Sequence, residues 1–134
     1  MKKIAAVLLL LFCVNAHAEN WTFVIASESQ EIYVDTSSIL KSGQTVRAWS
    51  IFNYDIAMPV PGTKFDFISD RSLFFFDCKR KKMGRAVQVL YSNLNATGDE
   101  LTTFSGRMSD VEYEDVIPET IGENFFNFVC AKVP

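Results

Sequence analysis

The sequence predicts an α+β domain: an antiparallel β-sheet of five to six strands, one C-terminal α-helix packed on it, and one disulfide. Three observations predict it. Short runs of β-branched and aromatic residues recur between turn-forming clusters, and several alternate with period two. Near the C-terminus the apolar period changes to that of a helix. Two cysteines, Cys78 and Cys130, remain once an N-terminal export leader is set aside, and an even count in an exported chain argues for a disulfide.

The leader is read from Met1-Lys2-Lys3, an apolar run from Ile4 to Val14, and the small residues of Ala16-His17-Ala18. The run is too short for a permanent membrane span. Residues 1–18 are therefore expected to be a signal peptide and 19–134 the domain, with a bacterial export signal directing it to the periplasm or beyond. An uncleaved anchor and a lipoprotein signal acylated on Cys13 are the alternatives; Leu11 and Phe12 lack the small side chains that lipoprotein processing wants before that cysteine. Cleavage removes Lys2 and Lys3 but none of the sixteen acidic residues, so the formal charge falls from −3 to −5. Such a chain lacks the positive surplus that nucleic-acid binding requires. No second apolar run reaches membrane length, so no transmembrane segment is expected in the mature chain.

Trp21 to Ala26 reads as the first strand and Ile32-Tyr33-Val34 as the second, with Ser27 to Glu31 as the turn between them. Asp35 to Leu40 reads as a capped turn, because Asp, Thr and Ser side chains bond nearby amides. Ser42-Gly43 is a breaker, and Thr45 to Tyr54 alternates as a half-buried strand. Asp55 to Lys64, with Pro59, Pro61 and Gly62, reads as a flexible loop. The run Leu73-Phe74-Phe75-Phe76 is apolar on both faces and belongs in the middle of a covered sheet. Arg85 to Ser92 is the next strand, Asn93 to Asp99 a turn longer than two residues, and Glu100 to Phe104 the returning strand. Pro118 and Glu119 suit the first turn of a helix, on which Ile121, Phe125, Phe128 and Val129 share one face.

Cys78 and Cys130 enclose a loop of about fifty residues, whose closure contributes roughly 4 kcal/mol in the chain-entropy account. A redox pair is the other reading, and the absence of a local Cys-x-x-Cys arrangement speaks against it. With His17 and Cys13 in the leader, the mature chain has no histidine for a nucleophile–histidine triad and too few ligands for a Cys/His zinc site. No catalytic residue, cofactor or metal is expected. Asp110, Glu112, Glu114 and Asp115 read as a solvated face rather than a calcium site or an acid/base pair. Lys79-Arg80-Lys81-Lys82, with Arg85, is the one basic cluster. It is either a patch for an acidic partner or a solvated hairpin tip whose charges discourage edge pairing. Trp21 and Trp49 are core candidates before they are ligand platforms.

Several of these pieces, in this order, resemble the surface-adhesin protein E family of small exported bacterial domains. Tyr33, Asp35, Ser38 and Ile39 are similar to its aromatic-x-Asp-x-x-Ser-Ile element; Trp49, Phe76-Asp77-Cys78, Tyr91-Ser92 and Gly98 follow, and Pro118 to Cys130 resembles its closing helix. The resemblance covers nearly all of Trp21 to Lys132 and implies a sheet-plus-helix domain stapled by Cys78 and Cys130. It also implies a non-enzymatic surface or periplasmic role, the namesake being a binder of host extracellular-matrix and plasma proteins. The expectation is a binding domain for a protein or acidic glycan partner, touching it with the basic cluster and the Pro59 to Lys64 loop. The alternative is a soluble periplasmic inhibitor or envelope-maintenance factor. An enzyme relying on carboxylates alone has little cleft available in 116 residues.

Overall fold

Trp21–Ala26 (β1) and Gln30–Asp35 (β2) pair antiparallel in a computed structural model that describes residues 19–134. The expected leader lies outside the described residues. The β1–β2 turn is tighter than the sequence suggests. The Ser27 hydroxyl oxygen accepts from the amides of Ser29 and Gln30, both at 3.3 Å, so Gln30 and Glu31 already belong to the strand.

Asp35 ends β2 and ties three segments together. One carboxylate oxygen accepts from the Asn20 amide at 2.9 Å, the Ser37 amide at 3.0 Å and the Ser37 hydroxyl. The Ser38 hydroxyl donates to the Asp35 carbonyl at 2.7 Å and accepts from the Trp49 amide at 2.9 Å. The chain start, the turn at Thr36–Ser38 and the neighbouring strand are thus fixed to one another, which is what the aromatic-x-Asp-x-x-Ser pattern accomplishes. Burial pushes the Asp35 carboxyl up, but the Ser37 hydroxyl, the Asn20 and Ser37 amides and the charge of Arg71 outweigh it and hold the group below its usual value.

Leu40–Ser42 (β3) turns through Gly43, at a φ of 61°, into Thr45–Pro59 (β4). Here the first half of the expected loop, residues 55–59, is strand. After an irregularity between Asn53 and Met58, β4 resumes pairing with Asp66–Asp77 (β5) through Met58 opposite Phe67 and Pro59 opposite Asp66. The connection narrows to residues 60–65, where buried Val60 joins Phe67 and Leu90 in a small second core. The Val60 amide donates to the Phe65 carbonyl at 2.8 Å. Burial of Val60 pulls the proline-containing stretch onto the sheet, a tertiary effect that composition does not show.

β5 pairs with Lys82–Asn93 (β6), which pairs with Thr97–Ser105 (β7). The continuous order is β1-β2-β4-β5-β6-β7, six strands, with β3 beside β4 and the two-residue strand Glu114–Asp115 (β8) beside β6. β5 is therefore interior, as its all-apolar run requires, and Phe74, Phe75 and Phe76 are all buried. Ile121–Cys130 (α1) covers one face. Phe125 meets Phe52, Phe74 and Phe76 edge-to-face at centroid distances of 5.6, 5.1 and 5.2 Å. Ile32, Val34, Val46, Ala48, Phe126 and Val129 complete this core. Phe75 points to the opposite face, where the returning segment after β7 crosses. A Cβ on Gly84 would lie 2.4 Å from the Glu112 carbonyl oxygen and 2.6 Å from the Val111 side chain, so only glycine admits that crossing.

The helix starts later than Pro118. Thr120 caps it, its hydroxyl oxygen accepting from the Glu123 amide at 3.2 Å, while Glu119 takes a φ of 62°. The Glu123 carboxylate reaches back to the Glu119 amide at 3.3 Å, so a capping arrangement replaces the proline as the start signal. Cys78, just beyond β5, and Cys130, the last residue of α1, form a disulfide with a Cα–Cα distance of 5.8 Å.

Two outcomes follow for stability. A Cys78→Ser/Cys130→Ser variant, which opens a loop of 52 residues, will lose about 4 kcal/mol in urea unfolding at most. Asp35→Ala will lose about 2 kcal/mol at pH 7. Because the folded-state pKa of Asp35 is lowered, its contribution is complete above about pH 4 and is lost as the pH falls further, so the wild-type and Asp35→Ala stabilities converge in acid.

Candidate functional site

The basic cluster occupies the tip between β5 and β6, and the sequence around it makes that tip rigid. The Asp77 carboxylate accepts from the Arg80 amide at 3.0 Å and lies 3.9 Å from the Arg80 guanidinium. Lys81 takes a φ of 54°, which closes the turn. Cys78 fixes the tip to the helix, and β8 fixes its other side: the Val116 amide donates to the Lys81 carbonyl at 3.0 Å, and Lys82 pairs with Asp115 at 3.6 Å. Lys79, Arg80 and Lys81 are exposed and Lys82 is half-buried. Gln44, Asp77, Lys79 and Arg80 line a surface cavity of about 440 Å³.

Arg85 is not at this tip. It stands opposite Phe74 on the helix-side face, its guanidinium carbon 4.9 Å from the Phe74 ring and 5.4 Å from that of Phe52. The structure therefore divides the five cations of the cluster into a tip group of four and a separate stacked arginine. Arg85 joins Phe74, Met83 and the quartet Asp110, Glu112, Glu114 and Asp115 around a cavity of about 540 Å³. The quartet is exposed, as a solvated face should be, and no group of three His, Cys, Asp or Glu side chains suited to a metal occurs among the described residues.

Sequence inspection passed over Asp70, which is fully buried on β5. It accepts from the Tyr54 hydroxyl at 2.6 Å, the Gln88 amide nitrogen at 3.1 Å and the Ser72 hydroxyl at 2.8 Å. The Ser50 hydroxyl continues the chain to the Ser72 carbonyl at 3.1 Å. Its partners all donate, so the arrangement satisfies the acceptor oxygens of a fully buried carboxyl group and ties β4, β5 and β6 together. Burial first, then the charge and hydrogen bond of Asp70, push the Tyr54 hydroxyl far above its usual range, while the positive charge of Arg85 pulls the other way.

The sheet face away from the helix is aromatic. Trp21, Tyr33 and Trp49 are half-buried there and Phe23 is exposed, Phe23 meeting Tyr33 edge-to-face at 5.6 Å. Neither tryptophan lies in the main core. Arg71 sits among them, 5.4 Å from the Trp21 ring and 3.4 Å from Glu19, whose other carboxylate oxygen accepts from the Trp21 indole at 2.9 Å. Period-two alternation from Leu73 through Arg71 is the one sequence signal that could have placed that arginine. The Pro59 to Lys64 loop, the second expected contact, carries exposed Gly62, Thr63 and Lys64, with the Thr63 hydroxyl bonded to the Val60 carbonyl at 3.0 Å.

Tyr54→Phe will cost about 1 kcal/mol at pH 7, because one buried carboxylate oxygen loses a donor. A raised folded-state pKa means that the tyrosine's contribution is complete below about pH 10 and is lost as pH rises beyond it. Urea unfolding at pH 7 and pH 11 should thus show a shallower alkaline loss for Tyr54→Phe than for wild type.

The geometry agrees with known proteins. The profile of the surface-adhesin protein E family matches residues 21–131. A search of curated proteins returns no match. Among solved structures, Haemophilus influenzae protein E is similar with a TM-score of 0.59 at 17% identity, covering 83% of each chain. A second crystal form of that protein gives 0.58 at 17%, covering 85% of this chain and 96% of the other. Protein E from non-typeable Haemophilus influenzae gives 0.56 at 18%, covering 81% and 75%. A sheet-plus-helix domain closed by Cys78–Cys130, matched by that profile across nearly its whole described length, belongs to the surface-adhesin protein E family, whose members are non-enzymatic exported bacterial binding domains.

Proposed function

We propose that this domain binds an acidic partner, a protein segment or a glycan, at the bacterial cell envelope through the β5–β6 tip. One observation carries the reading. Lys79, Arg80 and Lys81 are exposed on a turn restrained by a ladder, a disulfide and the β8 strand. A cationic tip needed only to block edge pairing requires no such restraint, whereas a binding site gains from holding its charges in place before contact. Arg85, stacked on Phe74 and Phe52, is left out of this surface. The export route is part of the same proposal: a signal peptide of residues 1–18 followed by the domain of 19–134. In support, Glu19 and Asn20, the first two residues after the Ala16-His17-Ala18 pattern, are already held by the domain: Glu19 by Arg71 and the Trp21 indole, Asn20 by Asp35 and Thr36.

The test is binding of the purified disulfide-bonded domain to an acidic protein surface and a sulfated-glycan surface across a salt series. The expected outcome is binding that weakens with salt and drops at least about fourfold when Lys79, Arg80, Lys81 and Lys82 are all changed to Gln, at roughly 0.2–1 kcal/mol per charge. Unchanged binding removes the tip from the account. An intact mass beginning at Glu19 after expression of the full-length chain supports the export reading; one beginning at an acylated Cys13 replaces it with a lipid-anchored form.

A further inference from the structure

We propose that the tip is one part of a larger cationic pole, completed by Lys41 and Lys132, and that the pole binds an anionic polysaccharide carrying sulfate or carboxylate groups. This rests on the reading of the tip as a binding surface and extends it to residues distant in sequence. Lys132 follows Cys130 by two residues and Lys79 follows Cys78 by one, so the disulfide brings the two lysines to the same end of the domain. The Lys132 amide still donates to the Val129 carbonyl at 3.1 Å, and its ammonium lies 5.0 Å from the Phe128 ring, so the side chain is laid along the helix end. Lys41 reaches that end from β3: its ammonium donates to the Pro134 backbone oxygen at 3.4 Å. The ladders bring β3 to the same margin, since Ser42 is opposite Thr45 and Thr45 is opposite Asp77.

The charge balance there departs from the acidic character of the chain. Of six cations, Arg80 faces Asp77, Lys82 faces Asp115 and Lys41 is bonded to the Pro134 oxygen, while Lys79, Lys81 and Lys132 have no ion pair among the described residues. Lys41 lies on β3 and Lys82 on β6, strands three spacings or about 14 Å apart, with Lys79, Arg80 and Lys81 in the turn between β5 and β6. A row of that length suits charges repeated along a chain better than a single anion. A lipid surface is the less favoured occupant, because basic segments that hold membranes pair their charges with inserting apolar side chains. Across residues 40–45, 77–82 and 130–134, Leu40 is the one large exposed apolar side chain.

The experiment uses immobilised heparin as the probe and the disulfide-bonded mature domain as wild type, K79Q/K81Q, K41Q/K132Q and K41R/K132R, with vesicles of phosphatidylglycerol and phosphatidylcholine alongside. Melting curves confirm that each variant is folded. At low ionic strength K41Q/K132Q should weaken heparin binding about fivefold, comparably to K79Q/K81Q, with K41R/K132R close to wild type and all differences shrinking in high salt. If K79Q/K81Q weakens binding while K41Q/K132Q does not, the extended pole is wrong and the tip reading stands. If neither pair matters, or wild type does not bind heparin, both fail for this class of ligand. Capture by anionic vesicles without heparin binding overturns the polysaccharide in favour of a lipid surface.

Discussion

The central strand dictates the rest of the molecule. Phe74, Phe75 and Phe76 are consecutive on β5, so alternation sends Phe74 and Phe76 to one face and Phe75 to the other, and both must leave water. The helix covers the first face through Phe125, whose ring meets three phenylalanines. The second face is closed by the chain returning from β7, which passes over β6 where Gly84 has no side chain to block it. Fully burying a phenylalanine is worth about 2–3 kcal/mol, so three in a row outweigh the weak local preferences of the segments that cover them. Gly122, which disfavours its helix by about 1 kcal/mol relative to alanine, is tolerated for the same reason.

That burial also positions the surface. β5 must run to its end as an interior strand, so the turn that leaves it, Asp77 to Lys81, emerges beside the end of the helix that β5 supports. Cys78 and Cys130 are then close enough to bond. Lys79, one residue after Cys78, and Lys132, two residues after Cys130, are thereby brought to the same end of the domain. A rigid core thus presents flexible, charged side chains from fixed backbone positions, which limits the entropy lost when a partner docks.

Much of the core was legible and much of the surface was not. The helical face was readable because Phe125 and Val129 recur at the helix period, and the Asp35 knot because short polar side chains bond backbone close in sequence. β5 was readable as interior because an unbroken apolar run has no other stable placement. The extension of β4 through Pro59 was hidden: Pro59, Pro61 and Gly62 signal a turn locally, and the signal was overruled by Val60 entering a core made by Phe67 and Leu90. Asp70 was hidden because a buried carboxylate is recognised by its donors, and Tyr54, Ser72 and Gln88 reach it from three strands. Arg85 shows the limit of reading charge by proximity. Strand alternation and a register shift at β6 turn it toward Phe74 while its neighbours in sequence remain at the tip.

Fold and recognition draw on separate sets of residues here. The interactions that specify the fold lie on strand faces and under the helix: the phenylalanine cluster, the buried polar chain from Asp70 to Ser50, and Asp35 with its turn. The candidate contacts lie at one margin of the sheet, on residues that bury little area and make few hydrogen bonds. Exposed lysines of this kind contribute little to stability. Substitution at that margin therefore leaves the scaffold intact, whereas the faces resist change. Long-range charge reinforces the point. On a domain that is acidic overall, the proposed cationic pole would orient an approaching polyanion toward one end, because the rest of the surface would repel it.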